Sequence, residues 1–324
     1  MAKEKKNEKL NKLLNQLEKD YAIQKASDIK DTEVIYSRVF ALDYVTGGFK
    51  VGNGGHFLEF FGAESSGKST FALHVIKEFQ EQGKVCVWID AENSYDPVWG
   101  KINGVDNDNL LILKAKNLEE AGDLFVKLIE EDVDLIVVDS ISMLIPEDEI
   151  DRQTNEPTMA LSARVNALIC RKINQVISKH QTAIIFINQL REKVGVMYGN
   201  PYTTGGGRAL KHLYHTRVEF RSGKPMDIGS GDKKERIGVE INLHTIKNKK
   251  GKPHRTAVLD FYYTGQIDNK KSIVFAGIKY GVINFSGKTY EYKDKKAVGR
   301  EKFMEIIDEK DLKEIEKEIW KHIK

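Results

Sequence analysis

Cysteine is nearly absent from this chain: two occur in 324 residues, Cys86 in the strand-like KVCVWID and Cys170 in the helix-like VNALICRKI. Neither has a CxxC partner, so both read as small buried hydrophobes of a reducing compartment. Long apolar runs are missing too. None approaches the ~20 residues that span a bilayer, and the polar opening MAKEKKNEKL leads into no apolar signal core. A cytoplasmic protein with no membrane partner is therefore expected. Charge of one sign is also lacking. Fifty-one Lys and Arg face 48 Asp and Glu, and a net charge of +3 is too mild to identify an acidic partner. Any nucleic-acid contact has to come from local clusters. There is no internal repeat and no low-complexity tract. The histidines of KHLYHTR, His212 and His215, and His244 and His254 downstream, have no Cys or Asp at matching intervals. A zinc site is not expected there.

What is present is an ordinary globular composition, 40% hydrophobic and 31% charged, on a chain long enough for a full core. Leu10, Leu13, Leu14 and Leu17 fall on one face of a lysine- and glutamate-rich helix. Such a stripe either folds back on its own domain, the commoner arrangement, or docks on a neighbouring subunit. From residue 56 onward the apolar strands HFLEFFG, KVCVWID, LLILKA, DLIVVDS and TAIIFINQ alternate with helix-period segments. Near-continuous apolar strands joined by helices indicate an α/β fold, with a mostly parallel sheet covered on both faces. TRVEFR, GVEINLHTIKN and TAVLDFYYT follow, separated by short turns, and read as antiparallel strands extending that sheet. The last unit has short strands around YGVINFSGKTYEYKD and helices with Leu312, Ile315, Ile319 and Ile323 at helical spacing. Two polar or glycine-rich stretches, 146–161 and 191–210, read as long functional loops.

Chemistry concentrates in residues 62–70, GAESSGKST, between an apolar strand and a helix. Gly62, Gly67, Lys68 and Ser69 match G-x-x-x-x-G-K-[ST]. Glycines let the backbone curl so that successive N–H groups converge on phosphate oxygens. The helix N-terminus adds its dipole, the lysine a point charge, and the Ser69 hydroxyl a ligand for Mg²⁺. Asp139 ends the strand DLIVVD, where ligands of parallel sheets collect, and can support the same Mg²⁺. The water that attacks a γ-phosphate needs a carboxylate, and WIDAENSYDP offers Asp90, Glu92 and Asp96. Residue type alone favours Glu92 only slightly. The residues therefore point to a nucleoside triphosphatase.

Six strings in order, GAESSGKST, IDAENSYDP, LIVVDSIS, FINQLREKVGVMYGNP, TTGGGRALK and IKNKKGKP, resemble the bacterial RecA recombinase family over nearly the whole chain. The resemblance implies a RecA-type P-loop NTPase core at 33–265, an N-terminal oligomerisation helix and linker at 1–32, and a small C-terminal α+β domain at 266–324. It implies a single-stranded-DNA-dependent ATP hydrolase that uses ATP and Mg²⁺. Such a protein forms helical filaments of itself, pairs single strands with homologous duplex, and meets loader proteins and a repressor cleaved on the filament. On that pattern Gly62, Ala63, Glu64, Ser65, Ser66, Gly67, Lys68, Ser69, Thr70, Asp139 and Ser140 surround the nucleotide, with Asp96 and Trp99 against the adenine. Glu92 activates water, Gln189 senses the γ-phosphate, and Lys247 and Lys249 reach the phosphates of the neighbouring subunit. The loops near 146–161 and 191–211 would bind DNA through Met159, Arg164, Arg171, Gly206, Gly207 and Arg208. Read without the family, Arg164 and Arg171 are equally a solvated helix stripe.

The chain departs from the family at several positions. Ala63 replaces a usual Pro, and Trp99 a usual Tyr. His212 stands where a Phe usually couples subunits. Asn242 and His244 stand where basic residues are usual, so weaker strand exchange is expected. The sequence ends EIWKHIK without an acidic tail, so less self-inhibition of duplex binding is expected. The alternatives are a helicase-like motor on the same core, or a DNA-coating filament that binds ATP with little turnover.

Overall fold

The computed structural model describes residues 2–20, 23, 25–28, 32–52, 54–150, 159–192 and 202–323. Helix α1 (Ala2–Leu17) leads to strand β1 (Glu33–Ile35), helix α2 (Phe40–Thr46) and strand β2 (Phe49–Val51). The central alternation follows: β3 (His56–Gly62), α3 (Lys68–Glu81), β4 (Cys86–Asp90), α4 (Pro97–Ile102), β5 (Leu110–Leu113), α5 (Leu118–Glu130) and β6 (Leu135–Asp139). Next come α6 (Glu147–Ile150), α7 (Met159–Ile177), β7 (Ala183–Glu192), β8 (Tyr202–Thr204) and α8 (Gly207–Leu213). Then run β9 (Thr216–Ile228), β10 (Glu235–Asn248), β11 (Thr256–Tyr262), β12 (Ile267–Asp268) and α9 (Lys270–Lys279). The chain finishes with β13 (Asn284–Ser286), β14 (Thr289–Tyr292), β15 (Lys295–Val298), α10 (Arg300–Ile306) and α11 (Glu309–Ile323).

The large sheet runs β12-β11-β10-β9-β3-β7-β6-β4-β5, with β8 added beside β7. Every residue of β3, β4 and β6 is buried, which is why those strands read as near-continuous apolar runs. The expected antiparallel extension holds for β10, β11 and β12. β9 is antiparallel to β10 as expected, but on its other side it lies parallel to β3, with Leu58 opposite Thr216. The reason is topological: α8 returns the chain before β9 starts, and TRVEFR carries no local mark of strand direction.

Two apolar clusters cover the two faces of this sheet. Asn117 caps α5 by accepting from the Glu120 N–H at 2.7 Å, and Glu119 and Glu120 sit in its first turn, where the helix dipole favours them. The buried face of α5, Leu118, Ala121, Gly122, Phe125 and Ile129, packs against α7. A Cβ on Gly122 would come within 2.6 Å of Ile169 Cγ1, so a glycine is required for that close approach. Ile315 and Ile319 of α11 and Phe303 of α10 join the same cluster as Phe71 and Leu259, and β12 pairs directly with β11. The leucine stripe of α1 is only partly covered: Leu10 and Leu13 are each 49% exposed, while Leu14 and Leu17 are half-buried. The expected loop at 146–161 contains α6 and the start of α7, and the one at 191–211 contains the end of β7, β8 and α8. Residues 151–158 and 193–201 lie outside the described residues. No helix among the described residues is long and apolar enough to cross a membrane.

Candidate nucleotide site and the residues flanking 193–201

β3 delivers Gly62 against β9 so closely that a Cβ there would lie 2.2 Å from the Phe220 carbonyl oxygen. The loop then turns through two left-handed residues, Ser65 at φ 55° and Gly67 at φ 86°. No side chain caps α3 and no acidic residue occupies its first turn, which leaves its opening N–H groups to an anion. The Lys68 ammonium lies over the loop, donating to the Ala63 carbonyl at 2.7 Å and the Gly62 carbonyl at 3.4 Å. Burial lowers its pKa, against the opposing charges of Asp139, Glu92 and Glu64. A cavity of about 460 Å³ opens beside the loop, lined by residues 65–70 with Trp99, Phe261 and Tyr263. The Trp99 indole N–H donates to Thr70 Oγ1 at 3.2 Å, which fixes that ring to the first turn of α3.

The Ser69 hydroxyl donates to Asp139 Oδ2 at 2.6 Å. Burial pushes Asp139 up to about 6, although the Ser69 bond and Lys68 oppose the rise. A hydroxyl beside a buried carboxylate is a hard-oxygen donor pair, and it fits Mg²⁺. Ser140 turns its hydroxyl to Ser142 at 2.8 Å, away from this pair.

The three carboxylates left open by WIDAENSYDP separate clearly. Asp90 closes a turn, accepting the Ser94 N–H at 3.0 Å and the Tyr95 N–H at 3.1 Å. Asp96 caps α4 through the Val98 N–H at 2.8 Å. Glu92 alone is joined to another element's side chain, accepting from Gln189 Nε2 at 3.0 Å. The Ala91 and Glu92 N–H groups both donate to the Asp139 carbonyl, which ties the end of β4 to the end of β6. Thus Glu92, Gln189, Lys68, Ser69 and Asp139 gather at the carboxyl ends of β3, β4, β6 and β7, where an open parallel sheet binds ligands.

The expected DNA-contact residues lie apart from that cluster. Arg164 and Arg171 are exposed on α7, two turns from each other, while the side chain of Met159 is outside the described residues. Gly206 and Gly207 take φ of 82° and 79° at the start of α8, and Arg208 beside them is exposed. A Cβ on Gly206 would meet Leu210 Cδ1 at 2.2 Å. Lys247 and Lys249 do not line the cavity of their own chain. Lys247 donates instead to the Lys211 carbonyl at 2.6 Å and the His212 carbonyl at 3.3 Å, at the end of α8. Burial, followed by the charges of Lys249 and Arg217, lowers it to about 8. On β10, His244 faces Glu219 at 3.8 Å.

Sequence reading missed Phe261 and Tyr263, whose only signal was an aromatic cluster at the end of TAVLDFYY. It also missed Glu59, Asn188 and Arg217. These form a buried polar group between β3, β7 and β9 that no short motif announces.

A sequence model of the RecA N-terminal domain family matches residues 8–268. Protein RecA of Acholeplasma laidlawii (strain PG-8A) is 37% identical over 335 residues, covering 100% of this chain and 99% of that protein. Protein RecA of Aquifex pyrophilus is 40% identical over 299 residues, covering 91% and 84%. Protein RecA of Heliobacterium modesticaldum (strain ATCC 51547 / Ice1) is 38% identical over 306 residues, covering 92% and 87%.

Proposed function

The chain belongs to the RecA family, and from that membership we propose that it hydrolyses ATP with Mg²⁺ when bound to single-stranded DNA. As a helical filament on that strand it promotes homologous pairing and strand exchange. The observation that carries the reading is the Glu92–Gln189 hydrogen bond beside the glycine loop, because it joins a catalytic-type carboxylate to the strand that leads into residues 193–201.

Lys68 and the backbone N–H groups at the start of α3 hold the triphosphate, and Trp99 with Tyr263 borders the base. Ser69 and Asp139 hold Mg²⁺, which when bound neutralises charge on the phosphate oxygens. Glu92 orients the attacking water and accepts its proton. Gln189 carries an amide that can donate either to Glu92 or to a γ-phosphate oxygen, so occupancy by ATP competes with the Gln189–Glu92 bond. Lys247 and Lys249 act on the nucleotide of the adjacent subunit, where they stabilise charge in the transition state. Arg164, Arg171 and Arg208 supply sequence-independent phosphate contacts, and Gly206 and Gly207 permit close backbone approach. The exposed leucine face of α1 docks on the neighbouring protomer.

Steady-state hydrolysis with and without single-stranded DNA tests this directly, with Glu92→Gln as the control. Turnover that rises at least about tenfold with DNA, and vanishes in the variant, is the expected result. Turnover indifferent to DNA sinks the reading.

A further inference from the structure

Glu59 lies on β3 three residues before Gly62, and its side chain is fully buried. Its cross-strand neighbour on β9 is Arg217, whose guanidinium Nε donates to Glu59 Oε2. Its other oxygen, Oε1, accepts from Asn188 Nδ2 on β7 at 3.0 Å. These two partners hold opposite stems of the segment 193–201. Asn188 precedes that segment, and its amide also donates to the Gly205 carbonyl at 3.3 Å. Arg217 reaches the far stem, donating through Nη2 to Thr204 Oγ1 at 3.2 Å, while its guanidinium carbon lies over the Phe61 ring, 4.9 Å from the centroid.

The same group touches the nucleotide side. The Gln189 N–H donates to Asn188 Oδ1 at 3.0 Å, and the Gln189 side chain bonds Glu92. Gln189 therefore cannot shift its backbone toward a ligand without pulling on Asn188. Asn188 cannot move without loosening a fully buried carboxylate, for which losing a hydrogen bond is costly. β3 is itself held by β7 on one side and β9 on the other, with Gly62 opposite Gln189, so the carboxylate sits inside the sheet. The stems that continue past it pair, among the described residues, only with each other, as Leu190–Glu192 and Tyr202–Thr204, and are the movable members.

We propose that Glu59 and Arg217 are positioning residues that lock both stems of the 193–201 segment to the strand carrying the phosphate loop, so that displacement of Gln189 is passed to the two stems together. The coupling to DNA rests on the function proposed above. The lock itself does not, and two readouts keep them separate.

Hydrogen exchange of peptides covering 190–206 is measured with and without a non-hydrolysable ATP analogue and Mg²⁺, in the wild type and in Glu59→Gln. The amide still accepts from Asn188 but removes the charge that fixes Arg217. The expected result is a nucleotide-dependent change in the wild type that shrinks at least about fivefold in the variant, with analogue affinity within about twofold. The ratio of DNA-stimulated to DNA-free turnover falls by a similar factor. An undiminished nucleotide response in the variant overturns the proposal, as does loss of analogue binding, which marks a merely structural role. If Glu59→Gln does not fold, Arg217→Lys is measured in the same way, because lysine keeps the charge and cannot bridge Glu59 and Thr204 together. Wild-type turnover that ignores DNA, alongside an exchange response lost in the variant, sinks the DNA reading and leaves the lock standing.

Discussion

Asp139 and Asp43 are both buried carboxylates, 3% exposed each, and burial raises both, to about 6 and about 7 respectively. Their neighbours differ. Asp139 faces the Ser69 hydroxyl and the Lys68 ammonium, two residues that line a cavity of about 460 Å³. Asp43 is held within its own segment, accepting the Ser37 N–H at 2.8 Å and the Ser37 hydroxyl at 2.9 Å. It also borders the larger cavity, about 660 Å³, with Arg38 and Trp320. A raised pKa and a large cavity therefore coincide at Asp43 without the phosphate-binding loop and helix start that accompany Asp139. Perturbed titration marks a buried charge; the groups converging on it mark a site.

The largest effect that sharpens this contrast is at the site. Glu92→Gln should lower turnover by about 10²–10⁴-fold, read by phosphate release, with an unchanged thermal midpoint. Asp43 should behave in the opposite way. Its folded-state value lies above that of the unfolded chain, so its contribution to stability is greatest below pH ~4 and is lost as pH rises through about 7. Asp43→Asn should flatten a pH dependence worth roughly 2–4 kcal/mol, read as urea midpoints at pH 5 and pH 8, and leave turnover within about twofold. Loss of turnover in that variant would break the contrast.

Asp139→Asn sits between these cases. Turnover at limiting Mg²⁺ should fall about 10–100-fold. Stability between pH ~4 and ~6 should lose the decline that an upward-shifted carboxyl imposes. The smallest effect belongs to a cap far from either carboxylate. Asn117→Ala removes the acceptor at the start of α5 and should cost about 1 kcal/mol in a denaturation series, without moving turnover.

Much of the site was legible because its signals are local. GAESSGKST requires a curled backbone between a strand and a helix, and the structure has β3, two left-handed residues and α3 there. DLIVVD reads as a buried strand with a carboxylate at its end for equally local reasons. Choosing among Asp90, Glu92 and Asp96 was beyond pattern. Two of them are engaged by N–H groups within five residues, and the third by Gln189, 97 residues away.

Periodicity and turn chemistry determined which segments are strands and helices, and where a phosphate-binding turn lies. They act over a few residues, and the residues themselves carry them. The direction of β9, the exposure of Leu10 and Leu13 and the Glu59–Asn188–Arg217 group were decided only by tertiary structure. Each depends on which strand packs beside which, and on whether a buried charge finds its partner across the sheet, and no short stretch of sequence records either.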